Sequence, residues 1–400
     1  AYAKQAEKNG WEITAMAEAE DAGILTLLCT KDDRILSFGT NFYDKKIMVE
    51  VIKSSKNTEL LKKMISIPSF SGNEERVADL MVATWAEHGY SAERSGNNVW
   101  VKSRNFDPVK PTILLDAHLD TVRPNGNWEK DPFTAVVEDG KLYGLGSNDT
   151  GGSVVAMMAA FLQLAEKKQA YNLVCLESAE EENTGKNGIQ RIVGNLGKID
   201  LALIGEPTGM QAAIAEKGLM VVDCVAKGKS GHAARNEGLN AIYEAISDIE
   251  WFRSYRFGKE SPLLGKVKMT VTGIEAGTLH NVVPAECRFM VDIRVNEYYT
   301  NSDIYETIRR NVKSEVRPRS FSLNSSAIPI DHPIVLRCKD LGLKTYGSPT
   351  TSNQAVIPYP SLKIGPGDSA RSHTADEYIG LDEIEEGIML FVKLLDGFCF

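Results

Sequence analysis

Cysteine is scarce and scattered in this sequence. Its six cysteines, Cys29, Cys175, Cys224, Cys287, Cys338 and Cys399, include no pair closer than Cys175 and Cys224, so there is no Cys-x-x-Cys. That spacing offers neither a disulfide framework nor a zinc ribbon, and it predicts a reducing, cytoplasmic setting. Long apolar runs are missing as well. The longest, Val154 to Ala165, contains Gln163 and is too short to span a bilayer, so no membrane partner is expected. The opening residues, Ala1-Tyr-Ala-Lys-Gln-Ala-Glu-Lys8, lack the apolar segment of a secretory signal. Positive charge is in deficit: 45 Lys and Arg stand against 54 Asp and Glu, a net charge of −9. That balance argues against a general phosphate-backbone binder, and no nucleic-acid partner is expected.

Signatures of several catalytic classes are absent too. No Gly-x-Ser-x-Gly elbow occurs, which disfavours a serine hydrolase. Gly228-Lys-Ser230 resembles the end of a phosphate loop, but Asp223 stands where its first glycine belongs. Gly144-x-Gly146 followed by Asp149 lacks the third glycine of a dinucleotide fingerprint.

What is there is an ordinary globular composition: 400 residues, 43% hydrophobic and 25% charged, a length that favours two domains. Residues 1–50 form a segment of unknown role. Its apolar runs, Ile24 to Cys29 and Ile35 to Phe38, flank a Lys-Asp-Asp-Arg turn and predict a small α/β piece. Helices follow, one opened by Asn57 as a cap and one by Asn73, the second with Val77, Leu80, Met81 and Trp85 on one face. Four short apolar runs then read as buried strands: Ile113-Leu-Leu, Leu173-Val-Cys-Leu, Leu201-Ala-Leu-Ile and Ser361-Leu-Lys-Ile. Helical patterns between them, notably Val154 to Lys167, predict an α/β fold with a mainly parallel sheet and helices on both faces. This catalytic domain spans 51–216 and 329–400. Between them, 217–328 reads strand (Leu219 to Val225), helix (Leu239 to Arg253), strand (Val267 to Ile274), strand (Cys287 to Val295), helix (Asp303 to Val312), strand (Ser320 to Leu323). That βαββαβ order predicts an inserted ferredoxin-like domain.

Chemistry gathers where the four buried runs end. They lead into Asp116-Ala-His118-Leu-Asp120, Glu180-Glu181-Glu182, Gly205-Glu206-Pro207 and Gly365 to His373. Open α/β sheets place their sites beyond the carboxyl ends of the strands, so these residues predict one convergent cluster. Two histidines with several carboxylates and no cysteine form a nitrogen–oxygen donor set suited to zinc, with cobalt or manganese as substitutes. So many converging carboxylates repel one another unless cations neutralise them, and two cations do so better than one. Asp149, just before a helix, suits a bridging position. His118 and Asp120, two apart on an extended segment, point the same way, so that Asp120 accepts from the second ring nitrogen of His118. Glu181 and Glu182 divide between metal binding and proton transfer.

Each feature has a plainer reading. A lone His-x-Asp pair arises readily by chance, Glu180-Glu-Glu in isolation is a solvated turn, Glu206 begins a loop, and Asp149 caps a helix. Their joint occurrence at strand ends in one half of the fold favours the shared site. His88 and His332 carry no motif and read as structural; His280 reads as incidental.

At these residues the sequence resembles the M20 family of metallo-aminoacylases and peptidases, most of all its acetylornithine deacetylase and succinyl-diaminopimelate desuccinylase branch. The matching stretches are Asp116 to Val122, Gly146 to Gly152, Ala179 to Glu182, Ile204 to Thr208, Lys229 to Ala234, Asn281 to Pro284, Asp292 to Arg294 and Ser372 to Tyr378. The likeness begins near residue 52, leaving 1–50 outside it. The resemblance implies two Zn2+ per subunit: His118 and Glu206 on one, Glu182 and His373 on the other, Asp149 between them. It makes Asp120 the residue that orients His118 and Glu181 the general base. Within the three glutamates this register lets Glu180 match the family's usual Asp. The inserted domain becomes a homodimer contact, and His232 reaches the partner's site to steady the oxyanion. Asn281 and Arg294 match positions that look toward the substrate, although Arg294 alone also reads as a surface ion pair. Asn353 stands where relatives in the deacetylase branch often carry Asp, and is expected to alter the charge near the substrate.

The expected activity is removal of an acetyl or succinyl group from a small N-acyl amino acid, foremost N-acyl-L-ornithine in arginine biosynthesis. Rivals are a succinyl-diaminopimelate desuccinylase, a di- or tripeptidase on the same scaffold and, from another class, an inactive metal-binding homologue.

Overall fold

A computed structural model of the chain describes residues 56–235 and 237–400, together with the backbone of four strands between residues 12 and 50. Those strands, β1 (Glu12–Ala19), β2 (Ile24–Lys31), β3 (Arg34–Asn41) and β4 (Lys46–Glu50), form an antiparallel meander in sequence order. β2 and β3 pair up to Lys31 and Arg34, on either side of the expected Lys-Asp-Asp-Arg connection. The described residues of this segment lie in strands, and the helical part of the expected α/β piece falls outside the described residues.

Helices α1 (Lys56–Ile65) and α2 (Glu75–Glu87) follow. Neither starts at its expected cap. Asn57 lies inside α1, and α2 begins after Glu74, whose carboxylate makes no cap bond. It is instead buried and drawn towards the later site, accepting from the main-chain N–H of Gly72 and of Glu180 and from Asn97 Nδ2. Val77, Met81 and Trp85 are buried as the helical spacing requires.

The central sheet is built from β5 (Glu93–Ser95), β6 (Asn98–Lys102), β7 (Thr112–His118), β10 (Asn172–Ser178), β11 (Leu201–Ile204) and β12 (Ala212–Glu216). Between β7 and β10 the chain adds the hairpin β8 (Val136–Glu138) and β9 (Lys141–Tyr143), then α3 (Gly152–Ala165); the single-turn α4 (Ile189–Ile192) follows β10. α3 is apolar on every side and buried throughout most of its length, as a helix sandwiched between layers must be.

The insert then runs β13 (Gly218–Lys227), β14 (Gly231–His232), α5 (Ala241–Ser254), β15 (Lys268–Ala276), β16 (Val282–Val283), β17 (Glu286–Val295), α6 (Asn301–Asn311) and β18 (Glu315–Pro318). Its antiparallel sheet has the order β15-β17-β13-β18, that of a ferredoxin-like unit. Strict alternation along β17 sends Cys287, Phe289, Val291, Ile293 and Val295 inward against α5 and α6, giving the insert its own core. The last strand lies before the expected Ser320–Leu323. Val316 packs on the core and pairs with Cys224, whereas Ser320 and Ser322 bond to each other in a turn that leaves Phe321 exposed. The alternation Ser-Phe-Ser-Leu imitates a strand, but it has no partner strand left to pair with.

The chain returns through β19 (Ser326–Ala327), α7 (Pro333–Asp340), β20 (Thr345–Ser348), β21 (Ser361–Lys363), β22 (Tyr378–Gly380) and α8 (Leu381–Leu395). The sheet order is β19-β12-β21-β11-β7-β10-β6-β5, with β20 on β12 and β22 joining the β8–β9 hairpin. The four central strands, β21, β11, β7 and β10, are parallel, and antiparallel pairs flank them. Both faces are covered, one by α1, α2, α3, α7 and α8, the other by a smaller cluster around α4. Among the described residues, no helix is long and apolar enough to cross a membrane.

Candidate metal centre

Because the four central strands are parallel, their carboxyl ends share one edge of the sheet; His118, Glu181, Glu182 and Glu206 lie at or just beyond those ends, and His373 comes from the long loop after β21. His118 is buried, with Nε2 3.2 Å from Asp149 Oδ1 and 3.9 Å from Glu181 Oε2. His373 Nε2 lies 3.0 Å from Glu182 Oε2 and 3.7 Å from Asp149 Oδ2. The two carboxylate oxygens of Asp149 thus face different imidazoles. Two overlapping groups, His118 with Glu181 and Glu206, and His118 with Asp149 and Glu182, each bring their ligand atoms within 4.8 Å of one another.

Local turns explain how adjacent glutamates take separate tasks. Glu180 has a left-handed φ of 52°, and its carboxylate accepts from Asn187 N and Nδ2. Gly185 closes this turn; a Cβ there would meet Glu180 Oε2 at 1.9 Å. Glu180 is therefore committed to the turn, while Glu181 faces His118 and Glu182 faces His373.

Asp120 behaves differently from the expectation. His118 Nδ1 donates to the main-chain carbonyl of Asp120 at 2.8 Å, whereas the nearest carboxylate oxygen is at 3.5 Å. The carboxylate itself accepts from Glu181 N at 2.9 Å, Glu182 N at 3.1 Å and the Ser71 hydroxyl at 2.6 Å. The residue fixes the His118 ring through its backbone and the glutamate pair through its side chain. Ser71, Asn148 and Glu377 were missed in the sequence. Glu377, buried, accepts from the N–H groups of Gly146, Asn148 and Asp149. Its position just after His373 was the one available signal.

The electrostatics describe a basin crowded with negative charge. Burial, and then the charges of Glu206, Glu182 and Asp120, push the Glu181 carboxyl well up despite the opposing pull of His118. Burial and the Asp149 charge raise Glu206 to about 8. The bond to Glu182 raises His373 to about 9. For His118, burial opposes the charged form, but Asp120, Asp149 and Glu181 prevail and lift it well above the ordinary histidine value. Asp149, although burial favours its neutral form, is held low by His118. Protons here do what cations would do better. Two imidazoles and four carboxylates, with no sulfur, fit a pair of hard or borderline divalent ions, which would displace those protons on binding.

Residues 114–397 match the family described as Peptidase family M20/M25/M40. The chain belongs to this M20 family. An acetylornithine deacetylase from Yersinia pseudotuberculosis is 31% identical over 379 residues, covering 85% of this chain and 97% of the relative. A tripeptidase from Staphylococcus aureus has a TM-score of 0.69 at 18% identity, over 85% of this chain and 97% of that one. A dinuclear metal-binding M20 peptidase from Bacillus subtilis has a TM-score of 0.65 at 13% identity, over 85% of this chain and 96% of that one. M20 enzymes are typically dinuclear metal hydrolases, and the His/Asp/Glu basin of this chain has the donor set for such a centre.

Other candidates lie elsewhere in this M20 chain. His232 is exposed on β14, paired with β16, and its Nδ1 accepts from Ala234 N. Asn281, next to β16, is exposed, and its carbonyl accepts from Ala233 N. Arg294 is held by Asp292 through two bonds of 2.9 and 3.1 Å. Asn353 does not line the basin: it is buried behind β7, donating to Asp116 Oδ2 and Ser178 Oγ. An amide suits that place because Asp116 is itself buried, its carboxyl raised to about 6 chiefly by burial. His332 caps α7 through Nδ1, and the His88 carbonyl accepts from Arg104. His280 is exposed.

Proposed function

We propose that this M20 hydrolase is a di-zinc amidohydrolase that removes an acetyl or succinyl group from a small N-acyl amino acid. The reading rests on Glu181, a half-buried carboxylate whose oxygen lies within 4.8 Å of ligand atoms of both His118 and Glu206. The choice of N-acyl-L-ornithine, and with it a cytoplasmic step of arginine biosynthesis, is supported by the 31% identity to an acetylornithine deacetylase.

His118 and Glu206 would hold one ion, Glu182 and His373 the other, with Asp149 shared. Bound there, the two cations supply neutralising charge and Lewis acidity toward the acyl carbonyl and the attacking water. Glu181 accepts a proton from that water as its oxygen bonds to the acyl carbon. When the C–N bond breaks, Glu181 returns the proton to the departing amine, leaving a carboxylic acid and a free amino group. His232 of a second copy donates toward the oxygen of the former carbonyl, with 217–328 as the dimer contact. Asn281 and Arg294 meet the substrate's carboxylate or acyl group from the same insert. Asp120 keeps Glu181 and Glu182 in place through their N–H groups.

Glu181→Gln should reduce turnover by about 10²- to 10⁴-fold while leaving metal content intact; retained activity removes Glu181 as the base. The substrate is tested by amine release from acetylornithine, succinylornithine, succinyl-diaminopimelate and a dipeptide, after cobalt loading and beside metal analysis. Preference for either ornithine derivative supports the proposal. Preference for the dipeptide favours a peptidase, and no hydrolysis of any of the four favours an inactive homologue.

A further inference from the structure

The ligands of the basin are not anchored alike. His118 and Glu206 follow directly from adjacent parallel strands. His373 lies in the long loop between β21 and β22, is exposed, and has a φ of 59°, a left-handed backbone that a residue with a Cβ adopts only under constraint. Asn125 Nδ2 donates to the His373 carbonyl at 2.8 Å, and two buried side chains, one from each loop, tie this loop to the one that carries Asp149. Asn148, beside Asp149, accepts from Asp368 N at 3.0 Å and donates to Asp368 O at 3.1 Å and to Ser372 Oγ at 3.4 Å. Glu377 reaches in the opposite direction, accepting from Gly146 N at 3.0 Å, Asn148 N at 2.8 Å and Asp149 N at 2.9 Å. Its carbonyl also accepts from Gly144 N at 3.0 Å. The fit leaves no slack at Gly367, whose φ is +90° and where a Cβ would meet Asn148 Oδ1 at 2.4 Å.

We propose that Asn148 and Glu377 form a reciprocal clasp that fixes the separation of Asp149 from His373 and thereby sets the affinity for the second cation, the one His373 and Glu182 hold. Both are positioning residues. Opening the clasp leaves His118, Glu206 and Asp149 to hold the first cation, while His373 loses its fixed distance from its fellow ligands. The proposal rests on the two-cation reading of the basin.

The test is calorimetric titration of metal-free protein with Mn2+ and with Co2+, in parallel with thermal melting. Wild type should take up two ions. Glu377→Gln and Asn148→Ala should each weaken the second ion by about 10- to 100-fold while changing the first by no more than about threefold. Combining them should add little, since either change alone opens the clasp. Equal weakening of both ions, or of neither, overturns the proposal. Should Asn148→Ala fail to fold, Glu377→Gln carries the same test from the other loop, and Ser372→Ala, which removes one bond, should shift the second ion the same way by less. Wild type that binds fewer than two ions overturns the two-cation reading before any variant is made, and the clasp falls with it.

Discussion

The central sheet and the insert handle functional residues in contrasting ways. In the parallel sheet the strands are buried on both faces, so polar chemistry is confined to the loops beyond their carboxyl ends, and those ends converge. In the insert, alternation leaves one set of positions outward, and His232, Asn281 and Arg294 stay on or near the surface. The first sheet assembles His118, Asp149, Glu181, Glu182, Glu206 and His373 by itself. The insert contributes none of its three candidates to that cluster: His232 and Asn281, at its small β14–β16 pair, are exposed, and Arg294 on β17 is taken up by Asp292. The ligands at the parallel strand ends come from one chain, whereas the candidates on the insert enter the site, on the proposed reading, only from a second copy.

The contrast depends on the junction holding firm. There Glu216, at the end of β12, is fully buried with Lys363 of β21 at 3.4 Å and accepts from Ser352, while Lys363 also donates to Thr350. Glu216→Gln leaves the lysine charge buried without its partner and should cost about 3–5 kcal/mol. Hydrogen exchange should show lost protection in β12, β20 and β21 but retained protection in β13, β15 and β17. Uniform loss would mean that the two sheets are not separate cooperative units.

A smaller effect concerns the need for a partner. His232→Ala should lower kcat by about 10²- to 10³-fold with unchanged metal uptake. Mixing it with Glu181→Gln should restore part of the activity, because a mixed dimer holds one site with both groups intact. Failure to complement would confine His232 to its own chain.

The smallest effect isolates the parallel sheet. Glu177, buried in β10, accepts from Trp85 Nε1, and burial lifts its carboxyl to about 8. A raised acid favours folding fully below the unfolded value near 4.5 and loses that contribution as pH climbs towards 8. Glu177→Gln, which cannot ionise, should therefore melt higher than wild type at pH 8.5, on the order of 5 °C, and the gap should shrink towards pH 5. A gap independent of pH would place the carboxyl outside the titrating range.

Strand ends were legible because each pairs a continuous apolar run with acids or a histidine, two local signals that coincide. The insert was legible through its element order, except where Ser320–Leu323 imitated a strand. Positions whose meaning lies in distant contacts were not readable. Asn353 was placed near the substrate because its neighbours in sequence gave no hint that it would turn back to Asp116. Glu74 was overlooked beside Asn73, since a carboxylate serving Asn97 and Glu180 looks like any helix-starting acid. Asp120 was rightly tied to His118, but the bond runs through its carbonyl, which no side-chain pattern reveals.

Strand β21 leaves the ribosome last of the central four yet sits between β11 and β12. A nascent chain stopped before residue 361 therefore has a gap in the middle of its largest sheet, with β11 and β12 denied their shared neighbour. The insert is synthesised whole before that point and can fold at once on its own core. The central sheet is thus completed late, by one short strand entering between β11 and β12, and the loop that follows it carries the last histidine, His373.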